Sequence, residues 1–256
     1  MKKDKLIFDK NVESYDKYRP RYCQELYDKI ISYSNINRSS KVVEVGCGTG
    51  QATEAFLKTG CSLCAVEPGE NLSKYTQYKY RNYCNLSVEN IKFEDYSIEA
   101  NSIDLIYSAT AFHWIDECIG YKKAYDSLKE GGIIALFWNR PFVNKKDDPL
   151  HVRIQEIYKK YGETYEEPVE ANESTYTVRK NTILKYGFKD CKFYLFHNIR
   201  VFNADEYIEL LNTYSDHSAS LGENKMLFEK EVKDAICAYG GKIKLYDTID
   251  LYMGQK

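Results

Sequence analysis

Short apolar runs alternate with stretches of helical period over the first 140 residues. Residues 41–46 (KVVEVG) form an apolar run interrupted by Glu44 and predict a strand buried on both faces. Residues 61–67 (CSLCAVE), 87–93 (SVENIKF), 102–109 (SIDLIYSA) and 133–138 (IIALFW) predict four more strands. Helical patterns fall between them, over residues 48–57, from just after Pro68 to about 81, and over 121–128, where Gly131 and Gly132 are expected to end the helix. Upstream, residues 22–34 predict an amphipathic helix opened by Pro20, with Leu26, Ile30 and Tyr33 on one face. Regular alternation of strand and helix predicts a parallel sheet with crossover helices.

Past Asn139 the pattern changes. Residues 141–175 are polar and tyrosine-rich, with a helical period near 152–161, and read as an insertion. Residues 192–202 and 242–252 alternate as strands, and 205–213 and 225–239 as helices. No Gly/Ser/Pro linker or internal repeat divides the chain, so one domain over residues 1–256 is expected. Within it, residues 1–40 are read as an N-terminal lid and helix, 41–140 as the core, and 141–180 and 203–240 as cap elements. Residues 190–202 and 242–254 would supply the terminal strands.

Composition narrows the partners. Lys+Arg number 36 against Asp+Glu 38, a formal charge of -2, which offers no pull toward a phosphate backbone. The N-terminal MKKDKLIFDK has basic residues without an apolar run, and no later stretch approaches the roughly 20 apolar residues of a membrane span. A cytosolic protein with no nucleic-acid or membrane partner is therefore expected. The 8 cysteines, at 23, 47, 61, 64, 84, 118, 191 and 237, are scattered. No second CxxC accompanies Cys61 and Cys64, so these read as buried strand thiols in a reducing compartment, and no metal site is expected. The 24 tyrosines, beside abundant Lys, Asn and Ile, fit a coding bias and do not alone indicate a ligand cage.

The strongest local signal is Val42-Val43-Glu44-Val45-Gly46-Cys47-Gly48-Thr49-Gly50. A buried strand runs directly into three alternate glycines, which let the chain turn sharply and let a ligand lie against the backbone. A helix opening there would supply free N–H groups to polar or anionic atoms. A dinucleotide fold wants G-x-G-x-x-G/A, and Gln51 stands where that pattern keeps a small residue. The spacing G-x-G-x-G argues against a pyrophosphate cradle. Glu67 follows at the end of the second strand, where two carboxylate oxygens match the two hydroxyls of a ribose.

VVEVGCGTG followed by AVEPGENL resembles motifs I and II of the class I S-adenosylmethionine-dependent methyltransferases. The similarity runs through KFEDYSIEANSIDLIYSATAFHWID and GGIIALFW, covering about residues 11–140. NVESYDKYRPRY resembles the segment that closes over the cofactor in small-molecule members. AFHW and LLNTYSDHSA resemble the trans-aconitate-methyltransferase-like branch. The resemblance implies a doubly wound, Rossmann-like α/β fold: a seven-stranded, mainly parallel sheet with an antiparallel terminal strand and a helical cap insertion. It implies S-adenosyl-L-methionine as cofactor, held by Gly46, Cys47, Gly48, Thr49 and Gly50, with Glu44 near its amino end and Glu67 on the ribose. Pro68 and Leu72 would pack near the adenine, and Phe93 and Glu94 would meet its edge, although Lys92 stands where many relatives carry Asp. Ser108 and Ala109 would lie beside the transferable methyl, and Tyr18 and Arg19, with Tyr15, would belong to the lid.

Methyl transfer from a sulfonium needs alignment and exclusion of water, and a base only where the nucleophile must lose a proton. His113 and Trp114 are the candidates for shaping that step. His113 could contact substrate, act as a base, or only hold its loop. Arg19 and Arg140 are candidates for binding a carboxylate. Asn212 to His217 (NTYSDH) lacks the G-x-S-x-G elbow of a hydrolase. The expected partner is a small-molecule methyl acceptor, and no target-base motif of a nucleic-acid methylase is present. The alternatives are a nicotinamide-dependent oxidoreductase or epimerase, and a non-catalytic protein that binds an adenosyl ligand.

Overall fold

The structure, a computed structural model, describes residues 9, 11–162, 165–214, 217 and 221–256. Contacts divide the chain into two compact units. The larger comprises residues 20–139, 172–196 and 249–256; the smaller comprises the described residues within 1–19, 140–171 and 197–248.

The larger unit is built on a sheet of order β3-β2-β1-β4-β5-β7-β6. Its strands are β1 Lys41–Val45, β2 Ser62–Val66, β3 Leu86–Glu89, β4 Ile103–Ala109, β5 Leu128–Phe142, β6 Lys189–Asn203 and β7 Lys242–Gln255. β5, β6 and β7 run on into the smaller unit. β1 pairs in parallel with β2 on one side and β4 on the other; β2 pairs with β3 and β4 with β5 in the same sense. Lys256, just past β7, exchanges backbone hydrogen bonds with Gly131 and Gly132 near the start of β5, so these two strands run oppositely. Arg200 meets Asp247, His197 meets Thr248 and Phe193 meets Tyr252, so β6 and β7 are antiparallel as well. The seven-stranded, mainly parallel fold is as expected, with β7 antiparallel to both of its neighbours.

Burial explains why β1 reads as a continuous apolar run: Val42, Val43 and Val45 are all at 2% exposure or less. Phe56, on α3 (Thr53–Leu57), stacks on Tyr107 of β4 with ring centroids 3.9 Å apart, anchoring that helix to the sheet. α2 (Gln24–Ser34) buries Leu26, Tyr27 and Ile30 and ends at Asn35 in the left-handed region. Tyr33, expected on that face, lies half-buried with its hydroxyl donating to the Asp190 carbonyl, and Pro20 sits ahead of the helix rather than opening it.

Further boundaries differ from expectation, among them the third strand, which ends at Glu89 and leaves Phe93 outside it. α5 (Glu117–Ser127) stops before Gly131 and Gly132, which lie inside β5. The register there jumps from Ile103↔Leu128 to Leu105↔Ile133, so β5 bulges, and Gly131 takes the positive φ of +80° that the bulge needs. The helix expected from Gly48 begins only at Thr53, because residues 48–52 are spent in turns. α4 (Glu70–Lys79) follows β2, and α7 (Glu173–Lys185) also belongs to this unit.

In the smaller unit, α1 (Val12–Tyr18), α6 (Pro149–Tyr161), α8 (Ala204–Asn212) and α9 (Lys225–Ala238) enclose Leu150, Ile154, Ile157, Leu210, Phe228 and Val232. Asp148 caps α6 ahead of Pro149, and Asn203 and Glu206 form a reciprocal capping box on α8. Among the described residues no helix is long and apolar enough to cross a membrane, and no cluster of His, Cys, Asp or Glu could hold a metal.

Candidate functional site

The order of strands reverses between β1 and β4, which stand side by side while their chains continue to opposite sides of the sheet. In doubly wound folds the crevice outside the carboxyl ends of such a pair is where ligands bind. The glycine loop leaves β1 at this point, and the loop holding Ala111, Phe112, His113 and Trp114 leaves β4. The two approach so closely that a Cβ on Gly46, whose φ is +71°, would stand 2.4 Å from the Ala111 Cβ.

The three glycines do different work. Gly46 N–H donates to the Val66 carbonyl at 2.8 Å and prolongs the β1–β2 ladder. Gly48 N–H donates to Glu67 Oε2 at 2.9 Å, and the Gly48 carbonyl accepts from Thr76 at 2.8 Å. Gly50, at φ +79°, would drive a Cβ to 2.4 Å from the Tyr80 ring, whose hydroxyl donates to the Gly50 carbonyl at 2.7 Å. Gly50 N–H itself closes a turn on the Cys47 carbonyl at 2.8 Å. The free helical N–H groups expected here are thus replaced by loop amides, and those of Gly48 and Gly50 are bonded within the protein.

Glu67, 7% exposed, accepts from Gly48 N–H through one oxygen and from Gly69 N–H through the other, both at 2.9 Å. It ties the loop after β1 to the turn after β2. Asn90 donates to the Glu67 and Pro68 carbonyls at 3.0 and 3.1 Å and fixes that turn from the far side. A carboxylate offers about four acceptor directions, so bracing two loops and receiving a diol are compatible roles.

Glu44 is buried on β1, accepting from the Thr53 hydroxyl at 2.6 Å. Burial pushes its carboxyl up to about 7, against the lowering by the Thr53 and Tyr107 hydroxyls. Cys47 is also buried and its thiol is pushed well up by desolvation. Thr49 is inaccessible; its hydroxyl accepts from Gln51 and its carbonyl from Lys79 at 3.0 Å. Pro68 is half-buried and Leu72 buried on α4.

Phe93 is 3% exposed and tilts against Phe112, with the Lys123 ammonium 5.3 Å from its ring. Glu94 is half-buried, its carbonyl accepts from Lys123 at 2.9 Å, and it lines a cavity of about 570 Å³ with Asp95, Tyr96, Lys122 and Asp126. Ser108 is buried and donates to the Val45 carbonyl at 2.7 Å, stitching β4 to β1, while Ala109 ends the strand half-buried.

His113 is exposed, and its Nδ1 lies 3.0 Å from Trp138 Nε1. Trp114 is half-buried, 5.2 Å from the His113 ring. Tyr18 and Arg19 belong to the smaller unit. The Tyr18 carbonyl accepts from Arg200 at 3.3 Å, and Arg19 donates to the Thr213 carbonyl with its guanidinium 4.2 Å from the Tyr214 ring. Of NTYSDH, Ser215 and Asp216 lie outside the described residues.

The structure adds residues that sequence reasoning missed. Thr110 follows β4 at φ +56°, a conformation costly for a β-branched residue. Its Oγ1 lies 2.8 Å from the Tyr22 hydroxyl and accepts from Asn139 N–H at 3.2 Å. No sequence signal marks this junction or Trp138, because both arise from strands paired across the sheet.

Residues 42–132 match the family model of a methyltransferase domain. A candidate methyltransferase of Dictyostelium discoideum is 25% identical over 93% of this chain and 85% of its own length. An uncharacterized methyltransferase of Schizosaccharomyces pombe is 23% identical over 90% of this chain and 86% of its own. The chain spans about half, 52%, of an uncharacterized Mycobacterium tuberculosis methyltransferase at 27% identity. Among solved structures, a candidate type II methyltransferase from Anaeromyxobacter dehalogenans superposes with a TM-score of 0.64 at 18% identity, covering 93% of this chain and 98% of that one. Phosphoethanolamine N-methyltransferase 2 of Haemonchus contortus, solved with S-adenosyl-L-methionine, gives 0.54 at 14% identity, covering 97% and 57%. At such identities the superpositions speak for the fold. The matched methyltransferase-domain segment takes in both β1 and β4, and so both loops of the crevice.

Proposed function

We propose that this protein transfers the methyl group of S-adenosylmethionine to a small molecule in the cytosol. The observation that carries the reading is the carboxylate of Glu67 bonded to Gly48 and Gly69 at the carboxyl end of β2, beside a β1 loop with no room for a Cβ at Gly46. Such a cradle fits a ligand with a vicinal diol and a flat base. The cofactor supplies a methyl on a sulfonium, an already good leaving group.

The protein's share of the work is placement. Glu67 would accept from the ribose hydroxyls while keeping the loop in shape. Pro68 and Leu72 would flank the adenine, with Phe93 and Glu94 at its edge. Glu44 would face the amino end, and Ser108 and Ala109 would border the methyl. Tyr18 and Arg19 are proposed as further cofactor-binding residues. His113 and Trp114 would shape the substrate side. The net charge of -2 and the AFHW segment support a small-molecule acceptor of the trans-aconitate-methyltransferase-like branch.

Isothermal titration with S-adenosylhomocysteine tests the reading. Micromolar binding is expected, with no response to NADH. The absence of heat with either adenosyl ligand would sink it, and NADH binding would turn it toward an oxidoreductase.

A further inference from the structure

The histidine after β4 has its hydrogen-bonding state set by a neighbour. His113 lies in the short turn after β4, and Trp138 follows Phe137, which pairs with Ala109 across the β4–β5 ladder. Trp138 Nε1 lies 3.0 Å from His113 Nδ1. An indole N–H donates and never accepts, so Nδ1 must present its lone pair. The single proton of the neutral ring then sits on Nε2. An imidazolium would carry a proton on each nitrogen and set two donors face to face.

Trp138 is itself held on two sides. It is 5% exposed; the Tyr252 ring meets it edge-on at 6.0 Å, and the Arg179 guanidinium covers its face at 3.6 Å. Tyr252 is fixed in turn by donating to buried Asp250 at 2.9 Å. A cation on the π face draws density out of the indole and makes its N–H a better donor.

We infer that Trp138 holds His113 in the Nε2–H tautomer, so that His113 meets the methyl-accepting substrate as a hydrogen-bond donor rather than as a base. The inference rests on the methyl-transfer reading above. It assigns the substrate an oxygen or nitrogen lone pair, such as a carbonyl or carboxylate oxygen, near this ring. Any deprotonation the substrate requires falls to another group. Trp138 is the positioning residue, acting only through His113.

Nitrogen-15 NMR of the histidine-labelled full chain, with S-adenosylhomocysteine added and the His113 signals identified by their loss in His113→Gln, reads the tautomer directly. The expected spectrum has an unprotonated Nδ1 and a protonated Nε2 in the wild type, and averaging toward mixed tautomers in Trp138→Phe. A protonated or averaged Nδ1 in the wild type overturns the inference. On any substrate turned over, His113→Gln keeps a side-chain donor but cannot serve as a base, and His113→Phe has neither. A donor role predicts retention within about tenfold in the first and a loss of about a hundredfold in the second. Equal losses in both overturn it in favour of a base. If S-adenosylhomocysteine does not bind, the methyl-transfer reading falls by itself, while the tautomer is still decided by the spectrum.

Discussion

Replacing Glu67 separates the cofactor binding proposed for it from the loop architecture it supports, because one carboxylate would do both. In Glu67→Gln the side chain keeps its volume but has a single acceptor oxygen. Gly48 N–H and Gly69 N–H lie 2.9 Å from two different oxygens, so one of them would face an amide NH2. A hydrogen bond to a charged group contributes about 1.5–3 kcal/mol, and a buried donor left unmet costs about 1–3 kcal/mol. The folded protein should therefore lose about 2–4 kcal/mol, read as a lower urea midpoint at unchanged slope. Ligand binding should suffer separately, since the ribose diol loses at least one charge-assisted bond of similar size. At about 1.4 kcal/mol per factor of ten, that is a tenfold to hundredfold rise in the dissociation constant for S-adenosylhomocysteine. Titration must be run well below the variant's midpoint, so that unfolded protein does not imitate weak binding. Wild-type affinity in a folded Glu67→Gln protein would refute the assignment of the ribose to Glu67, whatever the stability change.

The glycines should fail in different ways. Gly50→Ala, at positive φ and against a Tyr80 ring pinned by its own hydroxyl, should lower stability by about 1–3 kcal/mol, measured by urea unfolding. Gly46→Ala pushes apart the loops after β1 and β4 and should weaken S-adenosylhomocysteine binding by more than its stability loss accounts for, measured by titration. Glu44 is pushed up to about 7 by burial, so between its ordinary value of 4.5 and about 7 the native state holds a proton that the unfolded state has released. Its contribution to stability is therefore full below pH 4.5 and falls by about 3 kcal/mol as pH rises to 7. Unfolding midpoints against pH should show this decline in the wild type and lack it in Glu44→Gln. Thr110→Gly trades relief of a strained φ against two lost hydrogen bonds, and should change stability by less than about 1 kcal/mol in urea unfolding.

What the sequence disclosed follows from how each element is stabilised. β1 was legible because burial on both faces leaves an apolar run, and β4 and β5 for the same reason. α7 leaves no periodic signal because it buries only Tyr176 and Ile183, too little to print a stripe on the pattern, and α1 buries nothing fully. The helix after the glycine loop is shorter than its sequence pattern because turn residues and a helical start share the same small and polar types, and only the bonds from Gly48 to Glu67 and from Gly50 to Cys47 decide between them. The pairing of Trp138 with His113 could not be read at all, since it depends on the register of β4 against β5, which a bulge at Gly131 shifts.

The three glycines carry the deeper lesson. They look equivalent in the chain, and a ligand cradle would explain all three. In the fold, Gly50 answers to Tyr80, Gly48 to Glu67 and Thr76, and Gly46 to the loop that bears His113. Only Gly46 stands where the two loops of the crevice meet. The spacing therefore encodes three separate backbone constraints whose joint result is a crevice, and a match to the motif points to binding because that many constraints rarely coincide without a cavity to build.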